Sequence, residues 1–264
     1  MTTIKSERRM NFMSDTLRKL SAIHWMALIV LLIGAPGCST LFGDCVEGSG
    51  ELRTDSRQLD SFHNIVVKGS AEVIFTQGNE QQVLITADEN LLPIITTDVS
   101  NSTLTIDAKE CYSASQQLKV EVTIPRLALF RVEGSGSLTN LPSSSNEKLT
   151  LNDLHIQIEG SGKVNLLDAL IDNLKVEIEG SGEVAVTGGG ESIAVNISGS
   201  GDITADEFLV KEATATISGS GKIFLQATER LKGVIAGSGK IYYRGDPKAL
   251  ETTVSGSGNI VKLD

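Results

Sequence analysis

An all-β fold, a parallel β-helix or β-solenoid built from coils of about 19–20 residues with Gly-Ser-Gly turns, is predicted by three observations. Gly-Ser-Gly recurs with first glycines at Gly48, Gly134, Gly160, Gly180, Gly199, Gly219, Gly237 and Gly256, and from Gly134 onward the steps are 26, 20, 19, 20, 18 and 19 residues. A fixed period of this size marks a repeat architecture. Two residues before each motif stand Val132, Ile158, Ile178, Ile197, Ile217, Ile235 and Val254, and two residues after it Leu138, Val164, Val184, Ile203, Ile223, Ile241 and Ile260. Apolar, mostly β-branched residues at period two describe strands with one buried face. No 3.6-residue period competes with them.

Each element follows from that alignment. One coil cannot bury its own apolar face, so the coils must stack, at about 4.8 Å each, into a column of roughly 34 Å from Gly134. Glycine fits the turn because it accepts positive φ and lets backbones approach closely. The serines at the centre of the motif, Ser135, Ser161, Ser181, Ser200, Ser220, Ser238 and Ser257, should align as a hydroxyl ladder that bonds neighbouring backbone. The long first step holds Leu141-Pro142-Ser143-Ser144-Ser145-Asn146, a turn-rich insertion expected to bulge as a loop. Residues 59–126 carry longer, less regular strands separated by turn signals, and are taken as the start of the same stack. Asp88-Glu89-Asn90-Leu91-Leu92 is expected to make a short helical turn.

The first 37 residues read as an address. Lys5, Arg8, Arg9, Arg18 and Lys19 precede the apolar run Trp25–Ile33, which ends at Gly34-Ala35-Pro36-Gly37-Cys38. A basic head, a run too short to span a bilayer comfortably and small residues make an export signal. Ala35-Pro36-Gly37-Cys38 resembles the lipobox of bacterial lipoproteins, which would make Cys38 the lipidated first residue of the mature chain; Ala35-x-Gly37 also suits ordinary cleavage. The resemblance implies a membrane anchor, and Ser39 after the cysteine implies the outer membrane. With Cys38 lipidated, Cys45 and Cys111 remain as an even pair in an oxidising compartment, either a disulfide or two buried thiols. A bridge between them would be worth about 4 kcal/mol in the chain-entropy model.

The chain has 264 residues and a formal net charge of −10, which excludes nucleic acid as a partner. Gly-Ser-Gly-Lys at Gly160, Gly219 and Gly237 lacks the spacing of a phosphate loop. His63 and His155, both placed in strands, are the histidines beyond the leader, and neither belongs to a triad. No catalytic residue and no cofactor is therefore assigned. Glu133, Glu159 and Glu179 each precede Gly-Ser-Gly and should stack as a column. Solvated, it is ordinary surface; approached by a ligand, it is a candidate calcium or cation site. Tyr242-Tyr243-Arg244 is the one candidate sugar platform, and alternation exposes only one of its two tyrosines.

These residues together resemble the head GIN domain family, labelled "putative autotransporter adhesin", of bacterial envelope proteins. The resemblance covers roughly Leu59 to the end. It rests on Phe62-x-x-Ile65-x-Val67-x-Gly69-Ser70, Ala87-Asp88-Glu89-Asn90-Leu91-Leu92, Val122-x-Ile124-Pro125-x-Leu127, the Gly-Ser-Gly series and Tyr243-x-Gly245-Asp246-Pro247. It implies a β-solenoid on an exported protein with no established enzymatic activity. The expected organisation is a lipoprotein-type signal peptide at 1–37, a lipid-anchored linker at 38–58 and the head GIN domain at 59–264. The expected function is a non-enzymatic envelope lipoprotein presenting a binding or adhesion surface to a surface glycan or envelope protein. The alternatives are a scaffold or sensor subunit of an envelope complex and, third, a polysaccharide-active enzyme.

Overall fold

The computed structural model describes residues 45–141 and 148–264. The export signal, Cys38 and all of the turn-rich insertion after Leu141 lie outside the described residues. Cys45–Asp264 forms one compact unit.

The described chain is all-β. Its strands are β1 (Val46–Glu47), β2 (Leu52–Ser56), β3 (Asn64–Gly69), β4 (Glu72–Gln77), β5 (Gln82–Asp88), β6 (Ile95–Ser100), β7 (Thr103–Ala108), β8 (Tyr112–Ser113), β9 (Lys119–Ile124), β10 (Leu129–Gly134) and β11 (Ser137–Asn140). They continue with β12 (Leu149–Gly160), β13 (Lys163–Gly180), β14 (Glu183–Gly189), β15 (Ser192–Gly199), β16 (Asp202–Gly219), β17 (Lys222–Gly237), β18 (Lys240–Arg244), β19 (Ala249–Gly256) and β20 (Asn259–Lys262).

From β10 onward every pairing is parallel and in step with the glycine period. Gly69, Gly134, Gly160, Gly180, Gly199, Gly219, Gly237 and Gly256 are successive register partners. The first glycine of each repeated turn has positive φ, from +118° to +137° between Gly134 and Gly256. A methyl group there would meet the carbonyl of the glycine below; at Gly180 an ideal Cβ lies 2.5 Å from the Gly160 oxygen. That carbonyl is already used, because the Ser181 N–H donates to it at 2.8 Å, and the same bond recurs from Ser135 to Ser238. The serines thus act through their backbone. Their hydroxyls are exposed and, among the described residues, make no hydrogen bond, so the expected hydroxyl ladder gives way to an amide ladder.

Inward columns match the period-two reading. Val132, Ile158, Ile178, Ile197, Ile217 and Ile235 are all at most 1% exposed, as are Leu138, Val184, Ile203, Ile223 and Ile241. The last repeat differs, since among the described residues β19 and β20 pair on one side alone, with β17 and β18: Leu250 and Val254 are 47% and 43% exposed.

The part before β10 departs from a uniform parallel stack. β2 pairs antiparallel with β5, β5 with β9, and β6 with β7, beside the parallel pairs β3–β7 and β4–β9. The β6–β7 hairpin has a local cause, since Asn101 and Ser102 both take left-handed φ, 49° and 58°, as a tight hairpin turn requires. Asp88–Leu92 makes a single hydrogen-bonded turn, with the Leu91 and Leu92 N–H groups donating to the Asp88 carbonyl. Leu91, Leu92 and Phe62 are buried at this end.

Candidate functional site

Alternation leaves every second residue of the stacked strands facing outward, and register sets which of them become neighbours. On the wall leading to Gly-Ser-Gly, the outward residue next to the turn is Lys68, Glu133, Glu159, Glu179 and then Ser198 in successive paired strands. The three glutamates do stack. Arg131, from the adjacent outward column, ion-pairs with both Glu133 (3.3 Å) and Glu159 (2.5 Å). The chain itself thus supplies a cation to this column, and among the described residues no group of three or more His, Cys, Asp or Glu side chains converges as a metal site.

His155 lies on the same wall in β12, whereas His63 lies one residue before β3, outside the strand where it was expected. His155 Nε2 sits 2.6 Å from Glu177 Oε2, while Lys175 Nζ lies 2.8 Å from Glu177 Oε1 and Gln157 donates at 3.2 Å. The Lys175 contact first, then Gln157 and His155, hold the Glu177 carboxyl far below its ordinary value, at about 2, against the partial burial that would raise it. Beside them Asn173 donates to Asp153 and Ser192 donates to Asn173, a polar ladder across the three paired strands β12, β13 and β15. No nucleophile with a base beside it occurs in this cluster, so its geometry is that of a pinned outer wall.

The wall that follows Gly-Ser-Gly carries the aromatic feature. Tyr243 points into the core at 9% exposure, leaving Tyr242 outward. Directly beneath Tyr242 in register lies Phe224, also outward, with ring centroids 4.7 Å apart and planes 14° from parallel. Sequence reasoning missed Phe224. Its signal was present, because Phe224 and Tyr242 each stand five residues after the first glycine of their turns, at an outward offset.

Residues 45–56 are fastened to the end of the described unit opposite β19 and β20. Cys45 and Cys111 form a disulfide, and β1 pairs with β8 beside it. Buried Asp88 accepts hydrogen bonds from the Gly50 N–H (2.7 Å), the Ser115 N–H (2.9 Å) and the Ser115 hydroxyl (2.6 Å), which hold its pKa below the usual carboxylate value. Asn90 completes the clamp by donating to the Glu47 carbonyl and accepting from the Ser49 N–H. Residues 45–56, expected within a linker, are therefore folded onto the unit, and Gly48-Ser49-Gly50 belongs to this strap and not to the stacked turns.

Comparison with known proteins agrees with this architecture. A family model described as "Putative auto-transporter adhesin, head GIN domain" matches residues 61–247. A solved structure described as a putative adhesin from Bacteroides fragilis NCTC 9343 is similar at 24% identity and a TM-score of 0.75, covering 83% of this chain and 100% of that one. One described as a putative lipid binding protein from Parabacteroides distasonis ATCC 8503 is similar at 26% identity and a TM-score of 0.67, covering 84% of this chain and 100% of that one. A putative adhesin from Parabacteroides merdae ATCC 43184 follows at 25% identity and a TM-score of 0.63, with 84% and 100% covered. No curated protein matches the chain.

Proposed function

The chain belongs to the head GIN domain family, and from that premise we propose that it is a non-enzymatic cell-envelope lipoprotein presenting a β-solenoid as a binding or adhesion surface. The parallel ladders from β10 to β20 are read as the coils of that solenoid, residues 1–37 as the signal peptide, Cys38 as the lipidated residue and the outer membrane as the destination. The observation that carries the reading is the register itself. Outward residues of successive coils fall into straight columns about 4.8 Å apart along the stack, so the described residues offer long regular walls. The clamp at Cys45, seven residues after Cys38 in sequence, supports an anchor close to the start of the folded unit. The relatives' names, adhesins and a lipid-binding protein, agree with a binding role and name no enzyme.

Labelling of growing cells with a palmitate analogue tests the anchor. The full-length chain is expected to take the label into the membrane fraction, and Cys38→Ser to lose both label and membrane association. An unlabelled wild-type chain in the soluble fraction would overturn it. Screening the purified full-length protein on arrays of glycans and envelope proteins, with and without calcium, tests the binding role and the glutamate column together.

The second reading, a scaffold or sensor subunit of an envelope complex, is favoured by the exposed Leu250 and Val254 of β19. Silence on the arrays together with a stoichiometric partner in membrane pull-downs would select it.

A further inference from the structure

The outward residues of β17 and β18 form a two-by-three array. Lys222 lies beneath Lys240, Phe224 beneath Tyr242 and Gln226 beneath Arg244, all in direct register. Residues two apart on a strand stand about 6.6 Å from each other, and neighbouring coils about 4.8 Å apart. The array is thus a patch with an aromatic centre, two lysines on one side and an arginine on the other.

Three features set it apart from ordinary surface. Two half-exposed rings stacked at 4.7 Å present an apolar ridge where the alternation calls for polar residues. Lys222 and Lys240 are direct cross-strand partners of like charge, a placement that folding alone disfavours. Compensation is partial: Lys222 pairs with Asp202 at 3.8 Å and Arg244 with Asp206 at 3.5 Å, while Lys240 has no ion pair among the described residues. In a chain of net charge −10, this is a local cationic field around an apolar centre.

We propose that this array is a subsite for a sugar residue bearing a single carboxylate. The apolar C–H face of a pyranose would lie against the Phe224–Tyr242 ridge, and the carboxylate would reach Lys240 or Arg244 in a charge-assisted hydrogen bond. Gln226 and the Tyr242 hydroxyl supply neutral partners for ring hydroxyls. A densely charged polyanion such as nucleic acid is repelled by the net charge of the whole molecule, whereas one carboxylate feels mainly the local field. The inference rests on the binding-surface reading above and names the chemistry of one of its contacts.

The test is titration of the purified full-length protein in detergent with sialyllactose, using lactose as the uncharged control. Sialyllactose is expected to bind at least tenfold more tightly than lactose, with the preference falling as salt rises. Tyr242→Ala should weaken sialyllactose binding about tenfold, and Lys240→Gln should reduce the preference over lactose to near unity. Lys240 is exposed and has no ion pair among the described residues, so its variant keeps the fold and the test stays sharp if Tyr242→Ala loosens the last strands. Equal binding of the two sugars, no binding of either, or unchanged sialyllactose binding in Lys240→Gln would overturn the subsite. Failure here is distinct from failure of the display reading, because the palmitate labelling does not depend on these residues and the array screen also reads contacts elsewhere on the walls.

Discussion

Gly180→Ala, set beside Ser181→Ala, probes the turn that organises the stack. Gly180 has φ +126°, where an L side chain is strained by about 1–3 kcal/mol. The new methyl would also stand 2.5 Å from the Gly160 oxygen, the acceptor of the Ser181 N–H. Relieving that overlap moves one coil off the next and weakens a hydrogen bond worth about 1 kcal/mol. The expected cost is about 2–4 kcal/mol in total. Ser181→Ala removes only an exposed hydroxyl with no partner, so a change within about 0.5 kcal/mol is expected. Urea unfolding followed by far-ultraviolet circular dichroism compares the midpoints. Stacked repeats need not unfold in two states, so the order of the variants decides. A Gly180→Ala midpoint equal to that of Ser181→Ala, or a Ser181→Ala cost as large as that of the glycine change, would refute the backbone explanation.

Three further outcomes follow. Cys45→Ser with Cys111→Ser should lower stability by about 2–4 kcal/mol, seen as a lower thermal midpoint that wild type also shows under reducing agent. Asp88→Ala should release the strap, read as faster hydrogen exchange at residues 46–51 with later coils still protected. Glu177 has its folded pKa depressed from 4.5 to about 2, so it binds protons less readily when folded. Its stabilisation is complete above pH 4.5 and is lost as pH falls toward 2. After allowance for its 31% exposed side chain, the gap between wild type and Glu177→Gln should be about 1–2 kcal/mol at neutral pH and close at low pH, as thermal midpoints across that window will report.

The repeated half of the molecule was legible because its information is local and redundant. Each Ile or Val two residues from a Gly-Ser-Gly states the same thing about direction, and seven turns repeat it. Residues 59–126 lack that redundancy. Alternation in Val83-Leu84-Ile85 or Leu104-Thr105-Ile106 says which face is buried and nothing about whether the neighbour runs parallel, so the antiparallel pairs β2–β5, β5–β9 and β6–β7 were not foreseen. Ser100-Asn101-Ser102 reads as a turn signal between two strands, which by itself does not say that those strands pair with each other. The serine hydroxyls mislead for a different reason: the repeated spacing belongs to the backbone, because the left-handed glycine before each serine aims the serine N–H at the strand below.

The outer columns were half legible. Stacking of Glu133, Glu159 and Glu179 follows from their common offset, but Arg131 inserting between them depends on a diagonal contact that one-dimensional alignment does not display. His155 and Glu177 are likewise diagonal neighbours, 22 residues apart in a repeat of 20. Phe224 beneath Tyr242 was within reach of the alignment and emerges once every outward offset is compared across coils.

Display of these walls at the cell surface is tested most directly by lysine labelling of intact cells with a membrane-impermeant reagent, followed by mass spectrometry of the full-length chain. Modification of Lys163, Lys222 and Lys240 on unbroken cells, lost from the cell-associated fraction in Cys38→Ser, is the predicted result. Labelling of those lysines only after lysis would contradict it.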